Sequence, residues 1–362
     1  IAFAVAATLG VMSSVQAQET SSNITGRILT PAGAPAQGTM ITIIHEPSGT
    51  SKSATVGQNG SFSAKGLRVG GPYKVVVDSQ EFQDTTVEKV FLSLGEAYNI
   101  NLTLQAQNVE TITVTGSQLA SSEFGNTSPS SVFNLDDIES APSADRDLKD
   151  LVRIDPRISI SEDNGSESII CAGGHPRFSS LTVDGVRMND SFGLNNNGYP
   201  TTRMPFSFDA IDQVAVELAP FDVQYGGFTG CNINAVTKSG TNETHGGFFY
   251  DYTNDSMRGD KAGDDKFDLG SYSVKRYGVN VGFPLLEDKL FGFVSYEKLD
   301  GAQIFSYEAL QNGSVTMEEV NRAIQISQDV YGYDAGGLPA SAPVEDEKLL
   351  MKLDWNINDS HR

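Results

Sequence analysis

The sequence predicts a mainly β chain in three parts: a small antiparallel β-sandwich, an α+β domain, and the first strands of a transmembrane β-barrel. Three observations carry this prediction. Short apolar runs recur at regular spacing between residues 23 and 105, separated by polar turns. The middle of the chain mixes a helical period with strands and Asp-Gly or Gly-rich corners. Near the carboxyl end, apolar residues alternate with polar or small ones, a two-residue period that turns one face to lipid and the other to a lumen.

Length and charge bound the possibilities. The 362 residues exceed what one core accommodates, so two or three domains are expected. The 36 glycines and a hydrophobic fraction of 39% suit short strands and turns better than helical bundles. A net charge of −21 and a pI near 4.5 argue against a nucleic-acid partner, because phosphate binding needs clustered Lys and Arg. Acidity of this size favours solubility and attracts cations without naming a ligand.

Residues Ile1 to Val15 are almost wholly apolar, and Val15-Gln16-Ala17 is a small-residue cleavage pattern before Gln18. Residues 1–17 therefore read as the end of a secretory signal peptide whose basic first residues are missing from the sequence. No later run of about 20 apolar residues could form a spanning helix. The mature chain is expected outside the cytoplasm. There, the two cysteines, Cys171 and Cys231, favour a disulfide. Two buried thiols or metal ligands are the alternatives, although neither cysteine has a CxxC partner or a nearby His pair.

The first segment, 23–105, holds expected strands at Thr39–Ile44, Ser61–Ala64, Tyr73–Asp78, Val87–Leu92 and Tyr98–Leu104. Asn59-Gly60 is a strong hairpin signal between them. Gly26-Arg27-Ile28, Gly33, Gly38, Gly60-Ser61-Phe62, Gly66-Leu67 and Tyr73-Lys74-Val75 together resemble the carboxypeptidase regulatory-like domain. That resemblance implies a scaffold without catalysis.

Next, Glu110-Thr111-Ile112-Thr113-Val114-Thr115-Gly116 alternates polar and apolar residues, and the chain then dissolves into Ser, Asn, Thr and Pro up to Ser130. One reading is a last edge strand of the sandwich. The other is a detachable strand that pairs with the sheet edge of a partner. A short strand within such a tract, here 108–130, is similar to a TonB box, so Glu110, Thr111, Ile112, Thr113 and Val114 are candidate partner-binding residues, with TonB as the implied partner.

Between 131 and 236, Ser143 can cap a helix carrying Leu148, Leu151 and Val152, with Pro156 beyond its end. Ser179 to Val186 reads as a strand, an Asp-Gly turn and a return. Ile211 to Leu218 reads as a further strand, followed by a glycine corner at Gly226, Gly227 and Gly230. The chain re-enters a strand at Ile233–Val236 and breaks at Ser239-Gly240-Thr241-Asn242. This run resembles the junction of plug domain and β-barrel in TonB-dependent outer-membrane receptors, above all the Oar-like group, whose plug also ends in a TKSGTN-type segment. One departure is Gly174-His175-Pro176-Arg177, standing where many plugs carry Arg-Gly, so no role passes to Arg177. The Asn- and Gly-rich stretch 190–203 would be an apical loop, and the resemblance makes Asn195, Asn196, Tyr199 and Arg203 candidate contacts for an extracellular ligand. A merely solvated loop is the other reading.

From 244 to 362, strands are expected near 244–252, 274–283, 290–299 and 347–357. Tyr277, Val279, Val281 and Phe283 alternate with Gly278, Asn280 and Gly282, and Leu349, Met351, Leu353, Trp355 and Ile357 alternate likewise. Glu287-Asp288-Lys289 makes a tight turn, whereas 300–345 is a long excursion with a helix capped at Thr316 and Glu319 and ended by Gly332. Even the smallest barrels use about eight strands, so four are expected to begin a longer, here truncated, barrel. The expected fold class is thus a small antiparallel sandwich, an α+β plug domain and the opening of a transmembrane barrel in outer-membrane lipid.

Enzyme chemistry finds no support. His45, His175, His245 and His361 lack HxxE or HExxH spacing, and no G-x-S-x-G, P-loop or G-x-G-x-x-G occurs. The acidic tract from Asp251 to Asp268 lacks EF-hand spacing and reads as a solvated loop. No catalytic residue, metal or cofactor is expected. The resemblance implies an active nutrient importer of a Gram-negative outer membrane, its sandwich and TonB box in the periplasm. The alternatives are a SusC-like importer working with a lipoprotein lid, and a non-transporting adhesin.

Overall fold

A computed structural model describes residues 20–106, 112–115, 130–143, 145–163, 166–190, 192, 195, 199–218, 226–257, 259, 261–262, 265–266, 271–305, 307–311, 313–339 and 341–358. The expected leader at 1–17, Glu110, Thr111, the tract 116–129 and Asn196 lie outside them. The chain divides into two compact units, one within 1–246, 280–295 and 350–362, the other within 247–279 and 296–349.

The first unit opens with a sandwich of eight strands: β1 Ser22–Leu29, β2 Met40–His45, β3 Thr50–Thr55, β4 Ser61–Leu67, β5 Gly70–Asp78, β6 Thr85–Leu92, β7 Ala97–Thr103 and β8 Ile112–Thr115. One sheet has the order β4-β1-β7 and the other β3-β2-β5-β6-β8. The alternation of strand side chains puts Ile24, Ile28, Ile41, Ile43, Val75 and Val77 on inner faces, and the break in β6 at Lys89 (φ 57°) lets Val87 and Val90 both join them; all are buried. Each such side chain stabilises the packing by roughly 1.5–3 kcal/mol. β3 escaped the sequence reading because only Ala54 in it is apolar, and β1 because Gly26 interrupts the alternation between Ile24 and Ile28.

Two ladders of this sandwich run parallel, β1 with β7 and β6 with β8. The first needs Gly26, where a Cβ would collide with the backbone oxygen of Ile100. Asn59-Gly60 does turn the chain, with Gly60 at φ 81°, but it links β3 and β4, which belong to different sheets. It is a corner between layers, not a hairpin. The stretch 112–115 takes the edge position of the larger sheet, beside β6.

The α+β domain comprises β9 Ser130–Phe133, α1 Leu135–Ser140, α2 Leu148–Val152, β10 Ile158–Asp163, β11 Ser166–Cys171, β12 Ser180–Val183, β13 Val186–Arg187, β14 Ile211–Leu218 and β15 Cys231–Thr237. Its sheet has the order β13-β12-β15-β14-β9, with β10 and β11 as a separate hairpin. The expected cap is corrected by one turn. Asp147, not Ser143, caps α2 by accepting from the Lys149 amide, because Ser143 instead accepts from the Asp147 amide and donates to Asp150. Asp184 (φ 47°) and Gly185 (φ 78°) form the expected turn between β12 and β13, with the two positive φ values of a type I′ hairpin.

Tyr199 lies elsewhere than expected. Proposed as an apical ligand contact, it is only 2% exposed and belongs to this domain's apolar core, its hydroxyl donating to Asp147 at 2.8 Å. A phenol can be buried cheaply once its hydroxyl is paired, and here the Asp147 carboxylate provides the partner.

Four long strands follow: β16 His245–Asn254, then, after the short pair β17 Lys261–Ala262 and β18 Asp265–Lys266, β19 Ser273–Leu286, β20 Leu290–Ile304 and β21 Ser341–Trp355. They form one sheet in the order β16-β19-β20-β21. Between β20 and β21 lie α3 Glu308–Gln311 and α4 Met317–Tyr331, the latter with the expected Thr316–Glu319 capping box and a left-handed Gly332. One row of side chains is exposed, with Val279 50%, Leu349 61%, Met351 69% and Leu353 71%. The opposite row, including Phe291, Phe293, Ser295, Glu297 and Asp354, is buried. Exposed apolar side chains at every second position are what a lipid-facing barrel wall requires. No described helix is long and apolar enough to cross a membrane.

Candidate functional site

The segment Thr237-Lys238-Ser239-Gly240-Thr241-Asn242, singled out in the sequence, is where sandwich, α+β domain and barrel strands meet within the first unit. Gly240 threads between two strands: a Cβ there would lie 2.5 Å from the Gly292 oxygen and 2.7 Å from that of Phe283. Only glycine fits this passage. The Gly240 carbonyl accepts from Arg68 of the sandwich at 3.1 Å. The guanidinium of Arg68 stacks 5.2 Å from the Phe291 ring centre and lies 3.7 Å from the Asp354 carboxylate. Two residues on, the Asn242 amide donates to Pro47 of the sandwich, and its side chain exchanges two hydrogen bonds with Asp288 in the turn between β19 and β20.

A second knot centres on Asp184. Its carboxylate accepts from the Thr237 amide at 2.9 Å and from the Thr237 hydroxyl. Lys352 of β21 donates to the Thr237 carbonyl at 2.9 Å and lies 3.4 Å from Asp184. The Asp-Gly turn, the end of β15 and a barrel strand are thereby fastened by one charge-assisted cluster. Nearby, burial pushes the Asp212 carboxyl up to about 6, with Lys352, Lys238 and Arg68 drawing it back.

A third contact joins the sandwich to β14. Gln213, buried, accepts from the Leu94 amide at 2.9 Å and donates to the Leu92 carbonyl at 3.1 Å. Around it, Val69 and Leu94 of the sandwich pack on Ala215 and Val236. Sequence reasoning missed Gln213 because a lone polar residue within an apolar strand gives no sign of what it meets. Cys171, ending β11, and Cys231, opening β15, are joined by a disulfide with Cα atoms 5.9 Å apart.

The remaining candidates are dispersed. Ile112, Thr113 and Val114 pair with Thr85, Thr86 and Val87 of β6. Asn195 is half-buried, and its amide donates to Asp190 at 2.7 Å. Arg203 is exposed. Among the described residues, no group of three or more His, Cys, Asp or Glu is placed to hold a metal.

Comparison with known proteins gives three family matches in tandem. Residues 23–105 match the carboxypeptidase regulatory-like domain, 122–230 the TonB-dependent receptor plug domain, and 236–316 an outer membrane beta barrel domain. The chain is 31% identical over 121 residues to the TonB-dependent transporter Oar of Myxococcus xanthus, covering 32% of this chain and 11% of Oar. It is 28% identical over 214 residues to the TonB-dependent siderophore receptor PirA of Acinetobacter baumannii, covering 54% of this chain and 26% of PirA. The crystal structure of that PirA superposes with a TM-score of 0.42 at 22% identity, over 64% of this chain and 29% of PirA. The chain thus spans about a quarter or less of the length of these two curated relatives. With its plug sheet, its glycine passage at 240 and its lipid-facing strands in this order, the chain belongs to the TonB-dependent outer-membrane receptors.

Proposed function

We propose that the chain forms the periplasmic, gating and first barrel portions of an active nutrient importer, energised through Glu110–Val114. The observation that carries this reading is the order of parts: a short strand followed by a polar tract stands directly before a plug domain, which runs through Gly240 into barrel strands. A partner can grip such a strand by main-chain hydrogen bonds alone, adding it to the edge of its own sheet. TonB is that partner. A pull on the strand is transmitted through the tract 116–129 to β9, the edge strand of the plug sheet. Local opening of the plug then costs far less than global unfolding.

The ligand class follows the PirA relative: a ferric siderophore is the first candidate for the outer face, where Asn195 and Arg203 remain near the loop 190–203. The Cys171–Cys231 bridge sets a limit on how far the plug can be drawn out past it. Deleting Glu110–Val114 should abolish growth on a ferric siderophore as sole iron source, while heat-modifiable migration and ligand binding to whole cells persist. Uptake that survives this deletion refutes the coupling role.

A further inference from the structure

We propose that the sandwich is a clamp for the coupling strand: the edge of β6 holds Ile112–Thr115, and the partner must strip the strand from β6 before adding it to its own sheet. The inference rests on the reading of Glu110–Val114 as the coupling segment. The ladder is parallel and short, with Thr85 opposite Ile112, Thr86 opposite Thr113, Val87 opposite Val114 and Glu88 opposite Thr115. On its other side β6 pairs with β5, so β8 fills the edge that β6 would otherwise present to solvent. An uncovered strand edge accepts any extended segment that reaches it, and covering it with the chain's own strand removes that hazard. On this proposal the partner takes the edge of the strand that β6 now pairs, and with it the same main-chain groups. One strand therefore has two competing sheets.

The geometry of β6 gives the clamp a second connection. Lys89, at φ 57°, divides the strand into two halves. The first half, Thr85–Glu88, carries β8. The second ends at Leu92, whose carbonyl, with the Leu94 amide two residues on, is held by Gln213 of the plug strand β14. The strand that grips the coupling segment is thus itself hydrogen-bonded to the plug sheet. A displacement of β14 is felt at β6, and from there at β8.

The test staples the two strands in the intact receptor in outer membranes. Thr86→Cys with Thr113→Cys puts cysteines at paired positions, within the Cα separation a disulfide spans. Glu88→Cys with Thr115→Cys does so one residue beyond the coupling segment. Each oxidised form is compared with its own reduced form for capture by the purified periplasmic domain of TonB. Unsubstituted receptor under the same reductant controls for the Cys171–Cys231 bridge. The clamp predicts that both pairs crosslink without partner and that capture falls about tenfold or more on oxidation. It also predicts that TonB bound beforehand prevents the crosslink. Equal capture of oxidised and reduced forms overturns the clamp, since the partner would then be adding to the outer edge of a docked β8. Failure of both pairs to crosslink overturns it as well. Capture that persists after deletion of Glu110–Val114 refutes instead the coupling reading on which the clamp rests.

Discussion

Asp212 shows how one residue can record its surroundings. It sits at the bulge where β14 slips register against β15, between the positive groups of Lys238, Lys352 and Arg68. Burial nevertheless dominates, and its folded value of about 6 lies above the ordinary carboxylate value of about 3.9. The folded state therefore holds this proton more tightly than the unfolded state between those values, so stability falls as pH rises from about 4 to 6. The cost at neutral pH is about 2 kcal/mol for a half-buried group with this displacement. Asp212→Asn is expected to raise the denaturant midpoint of the plug transition at pH 8 and to leave it nearly unchanged at pH 4. An equal effect at both pH values would show that the substitution acts through packing. None of this was legible in the sequence, where Asp212 is one acid among 46 acidic residues.

Elements were legible in proportion to how local their causes are. The helix α4 follows from Thr316, Glu319 and Gly332, three residues whose caps act within the helix itself. The turn at Asp184-Gly185 and the alternating strands β19 and β21 follow in the same way, from dipeptide and period. The helix α2 was legible as a helix but not at its start, because Ser143 is taken up by the Asp147 amide and the Asp150 carboxylate, which leaves the Lys149 amide to the Asp147 side chain. The turn after α2 holds a pair the sequence concealed. Arg157 grips both oxygens of the buried Asp155 and also donates to Ser131 of β9 at 2.6 Å. Its hydrogen bonds hold the Asp155 carboxyl down to about 2. Replacing Arg157 with Ala strands that carboxylate, and the expected loss is about 2–3 kcal/mol at pH 7, at the low end for a buried pair because Arg157 is partly exposed. The loss should shrink as pH falls toward 2, where the carboxylate takes up its proton in either protein. Arg157→Lys should recover only part of it, since a lysine cannot bridge both oxygens. Unfolding midpoints of the three proteins at pH 7 and pH 3 decide the matter.

At the scale of the whole molecule, the sandwich is fastened to the rest of the first unit, not hung from it. Arg68, Pro47, Leu92 and Leu94 reach Gly240, Asn242 and Gln213 through hydrogen bonds of 2.9–3.1 Å. The Gln213 amide satisfies a backbone donor and a backbone acceptor at once, so Gln213→Leu leaves two buried main-chain groups without their partner. Each such group costs about 1–3 kcal/mol. We expect the substitution to leave barrel assembly unchanged and to speed hydrogen exchange at Leu94 and at the end of β6, whereas Gln213→Glu should retain the bond from the Leu94 amide. Exchange that matches the unsubstituted receptor would show that the apolar contacts of Val69, Leu94, Ala215 and Val236 hold the seam unaided.

What the sequence by itself determined is which side is apolar in the strands with a clear two-residue period, β19 and β21 above all, where the chain must turn, and that Gly240 marks a passage from one domain to the next. Those features are set by neighbours a few residues apart. Only the tertiary structure decided which strands lie side by side: that 112–115 runs parallel to β6, that Asn59-Gly60 joins two layers, and that Tyr199 turns inward to Asp147. The reason is physical. A two-residue period specifies a face but not a neighbour, because every strand edge offers the same backbone donors and acceptors. The choice among edges falls to side chains such as Gln213, Arg68 and Asp184, whose partners lie 53 to 172 residues away along the chain.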